Sequence, residues 1–298
     1  MRQKPQSAIA PLEKELSRTH RFIQRFLRRK SAVLGLILVS LVVGAAIAAP
    51  LIAPYSLTEA GESINGPPSR LHPLGTDRLG RDLLSRLIYG ARVSLLVGVG
   101  ARSISIIVGI VLGMLAGYYG GKVDIVLMRI TDVFMAFPFM LLAILVVAAI
   151  GPSLQNVIIA VGLTGWTGSC RILRGEVLRL REQAYVEAGR VVGASNRHIL
   201  VYHILPNLVP VAVTLYTIGV GTAILAESSL SFLGLGIQPP TPSWGLQLSF
   251  GQMVVFSAPH LTIVPSLAIF STVLGFNLLG DGLRDALDPR EATLRGQT

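Results

Sequence analysis

The chain has 298 residues, of which 51% are hydrophobic and only 14% are charged. Because an ordinary soluble domain carries about 25% charged residues, this composition excludes a soluble globular fold. The formal net charge of +10 does not by itself indicate nucleic acid, since the inner loops of membrane proteins accumulate Lys and Arg. We therefore predict an all-α integral membrane protein that lies in a lipid bilayer and has no nucleic-acid partner.

A basic leader, residues 1–31, precedes the first apolar segment. Leu16, Ile23 and Leu27 recur with helical spacing among basic residues, a pattern typical of an amphipathic helix on the anionic inner leaflet. A regulatory helix is the alternative. We predict no cleavable signal peptide, because the first apolar run starts near Ala32 and is long enough to remain in the membrane.

Six apolar segments are long enough to cross a bilayer, whose hydrocarbon core needs roughly 20 residues of helix. They are residues 32–53, 93–118, 125–150, 156–172, 208–230 and 261–279. The fourth is the shortest, and three glycines interrupt it. The spans divide the chain into the leader, a first transmembrane helix (32–53), an extracytoplasmic loop (54–92), a main transmembrane domain (93–280) and a tail (281–298).

The basic residues predict the orientation of these six spans. Lys and Arg concentrate in the leader, in the loop after the second span, between the fourth and fifth spans, and in the tail. With six spans, all four segments fall on one side of the membrane, and the positive-inside rule makes that side the cytoplasm. Both termini are therefore predicted to be cytoplasmic.

Residues 174–207, between the fourth and fifth spans, form an excursion large enough for a helix–turn–helix. Residues 184–192 are mostly small and carry Glu187 and Arg190, which suits a short helix that docks in a groove of another protein. Gly193 allows a sharp bend, and Pro206 stands where the next span begins, a position that tolerates proline. A solvated connecting loop is the alternative that composition alone leaves open.

Several stretches resemble one family of transport proteins. The pattern Glu187-Ala188-Gly189, three residues, Gly193 and later Leu205-Pro206 is similar to the coupling motif of ABC importer permeases. Further stretches resemble the peptide/nickel branch of that family, in particular the C-type subunits of dipeptide and oligopeptide permeases. They are HPLGTD with GRD (72–77 and 80–82), AESSLSFLGLG (226–236), QPPTPSWG (238–245) and FNLLGDGLRDALDP (276–289).

Two positions depart from the general coupling motif. Gly189 stands where a second alanine is usual, and His203 stands where an aliphatic residue is usual. Glycine at position 189 is expected to weaken the local helix by up to ~1 kcal/mol relative to alanine. Histidine before Ile-Leu-Pro is familiar within the peptide branch, so the second departure carries no expected cost.

The resemblance implies a transport subunit, not an enzyme, in the cytoplasmic (inner) membrane of a bacterium or archaeon. Its implied partners are a second homologous permease, two ATPase subunits and an extracytoplasmic substrate-binding protein. The residues that the resemblance assigns to ATPase coupling are Ala184, Tyr185, Glu187, Ala188, Gly189, Arg190, Gly193 and Ala194.

No cofactor is expected in this chain, and ATP and Mg are expected in the partner subunits. A P-loop needs two glycines and a Gly-Lys-Ser/Thr ending to hold phosphates. The one Gly-Lys pair, Gly121-Lys122, is followed by Val123 and has Ala116 in place of the first glycine. No metal site is predicted either, because Cys170 is the single cysteine and the five histidines are scattered.

Arg102 and Glu227 are charged residues within predicted spans. Because a charge near the bilayer centre costs ~3 kcal/mol on insertion scales, such a residue usually faces protein or water. We predict that both face the transport pathway or the partner permease. For Glu227 a structural hydrogen bond to a neighbouring helix is the favoured alternative, and an Arg102–Glu227 ion pair is a further option.

Two outer features are candidate contacts with the binding protein. One is Trp244, in the proline-rich outer loop 231–260, which we interpret as a packed lid or re-entrant segment. The other is a cluster before the second span, whose members are Asp77, Arg78, Arg81, Asp82 and Arg86. The alternative for this cluster is an interfacial helix held together by local ion pairs.

The function predicted from the sequence is a permease subunit of an ABC importer that forms, with a second permease, a pathway for di- and oligopeptides. The alternative is the same machinery importing nickel or another small solute such as glutathione, because the shared stretches do not encode the cargo. A secondary transporter is disfavoured, since neither internal repeats nor several buried ionisable groups are evident. A membrane enzyme would need convergent nucleophiles, paired carboxylates or metal ligands.

Overall fold

The computed structural model describes residue 20 and residues 22–287. Within this range the fold is all-helical, and the one β-like pairing is an isolated bridge between Thr76 and Asp82. The helices in chain order are α1 (Lys30–Ile47), α2 (Ala49–Ile52), α3 (Leu83–Tyr119), α4 (Gly121–Met135), α5 (Phe139–Ile150), α6 (Leu154–Thr164), α7 (Trp166–Arg181), α8 (Ala184–Val191), α9 (Asn196–Phe232, with a π-helical turn at Ile199–Ile204), α10 (Trp244–Gln252) and α11 (His260–Leu287). Of the predicted amphipathic leader helix, residues 22–28 are helical, and residues 12–19 and 21 lie outside the described residues.

Four single helices, α1, α3, α9 and α11, are long and apolar enough to cross a membrane. They correspond to four of the six predicted spans. Helix α3 begins at Leu83, well before the predicted start at residue 93, because its first turns bury the apolar face of Leu83, Leu87 and Ala91 inside the bundle. Asp82 caps this early start by accepting a hydrogen bond from the Ser85 backbone N–H at 2.7 Å.

The remaining two predicted spans are broken helices. The segment predicted at 125–150 consists of α4 and α5, which meet at an angle of 84°. Pro138 lies at this break, where it lacks a backbone N–H and disfavours a helical conformation at Phe137. The segment predicted at 156–172 consists of α6 and α7, broken at Gly165. The bent α4–α5 pair would make a fifth span, and a total of six stays a prediction.

The described parts of the four basic segments gather at one end of the bundle, here called the basic end. Phe26 and Ala32 pack against Ala286, next to an Arg29–Asp285 ion pair. The Arg181 guanidinium donates to the Gly117 carbonyl at 2.9 Å, which joins the end of α7 to the end of α3. The start and the finish of the described chain therefore lie at the same end, and the charge rule predicts that this end is cytoplasmic.

The opposite end is closed by α10 and the loop before α3. Helix α10 packs against α11 and α9, and the Trp244 indole donates to the Leu87 carbonyl at 3.0 Å. The His260 ring bonds to the Gly66 carbonyl at 3.1 Å, which ties the loop to the start of α11. The segment 231–260 is thus packed into the bundle, and its exposed large apolar side chains are those of Leu233, Met253 and Phe256.

Candidate functional site

Helix α8, at the basic end, is held in place by one buried side chain. Val186 is fully buried among Leu180 of α7 and Ile199 and Ile204 of α9. Val186 therefore fixes one side of the helix to the bundle. The structure confirms the predicted helix at this position.

The turn after α8 is a Schellman motif. The Ala194 N–H donates to the Gly189 carbonyl at 3.0 Å, and the Gly193 N–H donates to the Arg190 carbonyl at 3.0 Å. Gly193 has a φ of +84°, in the left-handed region that glycine adopts without strain. Ser195 then caps the first turn of α9 by accepting from the His198 N–H at 3.3 Å. The predicted bend at Gly193 is confirmed.

The exposed side chains of α8 are mostly small, and those at its C-terminal end are apolar. Ala184, Glu187 and Ala188 are exposed, and Val191 and Val192 are 83% and 87% exposed. These two valines are missing from the residues that the coupling motif selects. Their exposure follows only from the structure, in which Val186 is the valine that is buried. We call the exposed set, Ala184, Glu187, Ala188, Val191 and Val192, the docking face.

Other residues assigned to coupling are engaged within the chain. The Arg190 guanidinium lies 5.6 Å from the centre of the Tyr118 ring, and the Tyr118 hydroxyl donates to Asn196 at 2.8 Å. The Tyr185 ring lies 6.3 Å from the His203 ring. Partial burial raises the pKa of Tyr185, so its phenol stays neutral near pH 7. Arg190 and Tyr185 therefore attach α8 to α3 and α9.

The two glycines of this segment are expected to respond differently to alanine. At Gly189 the added methyl carbon would lie 3.7 Å from the His203 ring, an ordinary contact, so Gly189→Ala should stabilise α8 by up to ~1 kcal/mol. Gly193→Ala should cost roughly 1–2 kcal/mol, because alanine is strained in the left-handed region. Hydrogen exchange of the amides of 184–194 measures both, and equal protection in the two variants would contradict the assignment.

Ion pairs join α7 to the start of α4. The Arg174 guanidinium donates to both carboxylate oxygens of Asp124, with both distances at 2.5 Å. Arg171 pairs with Asp132, about two turns further along α4. Because a bidentate pair fixes two helices in orientation as well as in distance, a displacement of the basic end of α7 is passed to α4.

Two cavities lie along the same side of the bundle, between α7 and α9. The first, of about 370 Å³, is lined by Arg102, Ser105, Phe139, Val161, Thr164, Gly165, Thr167, Gly168, Ser169, Ile172, Leu215, Ile218, Gly219, Thr222 and Ala223. The second, of about 590 Å³, lies nearer the basic end and includes Glu176, Arg179 and Arg284 in its wall. Both share Ile172, Leu215 and Ile218. The two cavities are therefore adjacent, and their walls form one continuous surface.

Arg102 faces the first cavity and Glu227 does not. Arg102 donates to the Leu215 carbonyl through Nε at 3.1 Å and through Nη2 at 2.7 Å. The Glu227 carboxyl is fully buried and accepts from the hydroxyls of Ser94 at 3.1 Å and Ser231 at 2.8 Å. The structure therefore does not form the predicted Arg102–Glu227 pair. Serines on α3 and α9 take the place of the arginine, which supports the structural hydrogen bond for Glu227.

Comparison with known proteins identifies the family to which this chain belongs. A family model described as a binding-protein-dependent transport system inner membrane component matches residues 109–293, well over half of the chain. The chain belongs to this family. A second model, described as the N-terminal transmembrane domain of oligopeptide transport permease C, matches residues 17–68. The permease is thus a transport component of an ABC importer and not a catalytic subunit.

Individual relatives place the permease in the peptide/nickel branch and in the bacterial inner membrane. It is 45% identical over 271 residues to the glutathione transport system permease protein GsiD of Pectobacterium atrosepticum, with 90% of each chain covered. It is 46% identical over 273 residues to the protein of the same name from Escherichia coli, covering 91% of this chain and 90% of that one.

Solved structures of a methionine transporter share the fold of the permease. Two inward-facing structures of the MetNI methionine ABC transporter match it with TM-scores of 0.57 and 0.55, at 17% and 19% sequence identity. The matches cover 69% of this chain and 98% and 97% of those chains. At this level of identity the likeness concerns the fold alone.

At the end opposite the basic end, most of the predicted binding-protein contacts are buried. Asp77, Arg81, Asp82 and Trp244 lie inside the chain, and Arg78 alone of the predicted set is exposed, with its guanidinium 3.6 Å from the centre of the Phe250 ring. The Asp77 carboxylate pairs with Arg81 at 2.8 Å and with the buried Arg86 at 3.2 Å. The local ion pairs of the alternative interpretation are therefore present, but its interfacial helix is not, because residues 77–82 form turns and the helix begins only at Leu83. Of the predicted contacts, a docked protein could reach only Arg78.

Proposed function

We propose that this permease forms, with a second homologous permease subunit, the transmembrane pathway of an importer for small peptides. Two separate ATPase subunits, which bind ATP and Mg, supply the energy, and an extracytoplasmic binding protein delivers the cargo. The observation that carries this proposal is the docking face. A short helix anchored through the single buried side chain of Val186 presents small and apolar side chains outward at the basic end.

The contacts around α8 support its role in coupling. A groove that closes on the docking face would move Val186, and Val186 packs against Leu180 of α7 and Ile199 of α9. Helices α7 and α9 form the walls of both cavities. Movement of α8 would therefore widen or narrow both cavities directly. The ion pair between Arg174 and Asp124 would carry the same movement to α4.

The cargo is proposed from the relatives together with the size of the first cavity. The relatives at 45% and 46% identity are named glutathione transport permeases, and one family model is named for oligopeptide transport. Glutathione is itself a tripeptide. A cavity of about 370 Å³ lies within the range of roughly 300–1,000 Å³ that is usual for small-molecule sites. Small peptides, with glutathione as the first to test, are therefore the proposed class.

Uptake by the complete complex tests this function. The permease is reconstituted into vesicles with its second permease, its ATPases and its binding protein, and accumulation of labelled glutathione, trialanine or nickel(II) is measured with Mg-ATP and with Mg-ADP. We expect Mg-ATP-dependent uptake of at least one of the two peptides. Uptake of nickel without either peptide would overturn the cargo, and peptide uptake without the ATPases would overturn the proposed source of energy.

A further inference from the structure

Arg102 is a membrane-embedded cation without a counter-ion in the part of the chain that the structure describes. No carboxylate of the described residues lies within ion-pair distance of its guanidinium, and its partners are the Leu215 carbonyl and the Ser169 hydroxyl, the latter at 2.8 Å. These bonds use Nε and Nη2. The Nη1 group has no partner among the same residues and remains able to donate two hydrogen bonds.

The bundle is shaped to hold this guanidinium. A methyl carbon at Gly219 would lie 1.9 Å from Nε of Arg102 and 2.4 Å from its Cζ, so any larger residue at position 219 would occupy the space of the guanidinium. The Arg102 side chain thus lies against α9, over Leu215 and Gly219. Since an unpaired charge in this environment is costly, a position that is built to hold one indicates that an anion visits it.

The cavity around Arg102 has the chemistry of a carboxylate site. Its wall carries five hydroxyl groups. Those of Ser105, Thr164 and Thr222 donate to backbone carbonyls. Those of Thr167 and Ser169 donate to no acceptor in the described part of the chain and can therefore donate to a ligand. Phe139, Val161 and Ala223 form apolar parts of its wall. It opens to the outside of the chain beside the exposed residues Gly168, Ile172 and Thr222. Guanidinium groups bind carboxylates through paired, charge-assisted hydrogen bonds, and hydroxyls complete such a site.

We propose that Arg102, with the hydroxyls around it, forms a subsite that binds a carboxylate of the peptide cargo during its passage. This inference rests on the proposed function, because it takes the cargo to be a small peptide. The subsite would act after release from the binding protein, and it would favour peptides with a free carboxyl terminus over the same peptides with an amide.

Chemical protection of a cysteine in the cavity tests the subsite. Thr222→Cys adds a thiol to the wall, and the parent chain, whose single cysteine Cys170 is buried, serves as the unlabelled control. The complex is treated with N-ethylmaleimide in the presence of trialanine or trialanine amide. We expect trialanine to protect the thiol at about tenfold to one-hundredfold lower concentration than the amide, as expected for one charge-assisted contact. In the Arg102→Gln background the two peptides should protect equally.

Uptake in vesicles separates the subsite from the general function. Arg102→Gln should lower the rate of trialanine uptake by about tenfold or more at subsaturating peptide. Arg92→Gln removes an exposed arginine from the same helix and should leave both uptake and the ratio of acid to amide protection unchanged. Uptake of neither trialanine nor glutathione by the wild-type complex would overturn the proposed function, and the subsite with it.

Two further outcomes would overturn the subsite alone. One is that wild type takes up trialanine while Arg102→Gln shows the same uptake and the same protection. The other is that Arg102→Gln no longer co-purifies with the second permease, because the counter-ion of Arg102 would then be an acidic residue of that subunit. Retained co-purification together with loss of the preference for the free carboxylate is the result that we expect.

Discussion

Replacement of both Val191 and Val192 by Asp is expected to abolish co-purification of the permease with its ATPases, and ATP-driven uptake with it. The two side chains are 83% and 87% exposed at the end of α8, so they are free to enter a groove of a partner. Burying one such apolar side chain stabilises a complex by roughly 1.5–3 kcal/mol, and a buried carboxylate without a partner costs more. Together the two changes should weaken association at least about a hundredfold.

Matched variants separate the loss of docking from the loss of the fold. Leu71→Asp makes the same kind of change at a side chain that is 73% exposed in the loop before α3, and it should leave ATPase association unchanged. Val191→Ala with Val192→Ala keeps the surface apolar and should give an intermediate affinity. Each complex is purified through a tag on the permease, and the ATPase that remains bound is measured at several salt concentrations. Full retention of ATPase by the double Asp variant would rule out the docking face.

The sequence predicts the helix and the bend of this segment but not which side chains face outward. Glycine at position 193 is a local signal, because a single residue with a positive φ ends α8. The choice of Val186 as the buried valine depends on Leu180 and on Ile199, which lie on other helices. Among three valines within seven positions, no short-range pattern identifies the one that packs. The exposed pair therefore becomes evident only from the tertiary structure.

The spans show the same division between local and tertiary information. Apolar length locates α1, α9 and α11 well, since the bilayer sets the length of an uninterrupted helix. The start of α3 was predicted too late because two charged residues, Arg86 and Arg92, precede the uninterrupted apolar run that begins at residue 93. In the structure Arg86 is buried and paired with Asp77, so its charge does not exclude it from the bundle.

The pairing of Arg102 with Glu227 was wrong for a related reason. Opposite charges at similar predicted depths suggest a salt bridge, but hydroxyl groups are equally able to bond a carboxyl group within a helical bundle. Ser94 and Ser231 bond Glu227 in this way. Serines are abundant in membrane helices, and a single sequence does not show which of them face a given carboxyl. The consequence is that Arg102 is left available for a ligand.

Loss of the Asp77 carboxylate is expected to destabilise the permease more than any change at its neighbour Arg78. Asp77 accepts from the Arg81 guanidinium at 2.9 Å and 2.8 Å and from the Arg86 guanidinium at 3.2 Å, and all three side chains are buried. Removing one partner from a buried pair leaves an uncompensated charge, which costs about 3–5 kcal/mol. Asp77→Ala should therefore lower the unfolding temperature of the purified permease by on the order of 10 °C.

Arg78→Ala provides the control that decides between structure and docking at this end of the permease. Its exposed guanidinium contacts the Phe250 ring, an interaction of about 0.5–1 kcal/mol, so its unfolding temperature should shift only slightly. If the binding protein docks on this surface, Arg78→Ala should raise the concentration of binding protein needed for half-maximal uptake while leaving the maximal rate unchanged. A stable Asp77→Ala protein with the same defect would show instead that Asp77 itself contacts the partner. Since Asp77 is buried beneath an exposed Arg78, we expect the two effects to separate, with stability at residue 77 and docking at residue 78.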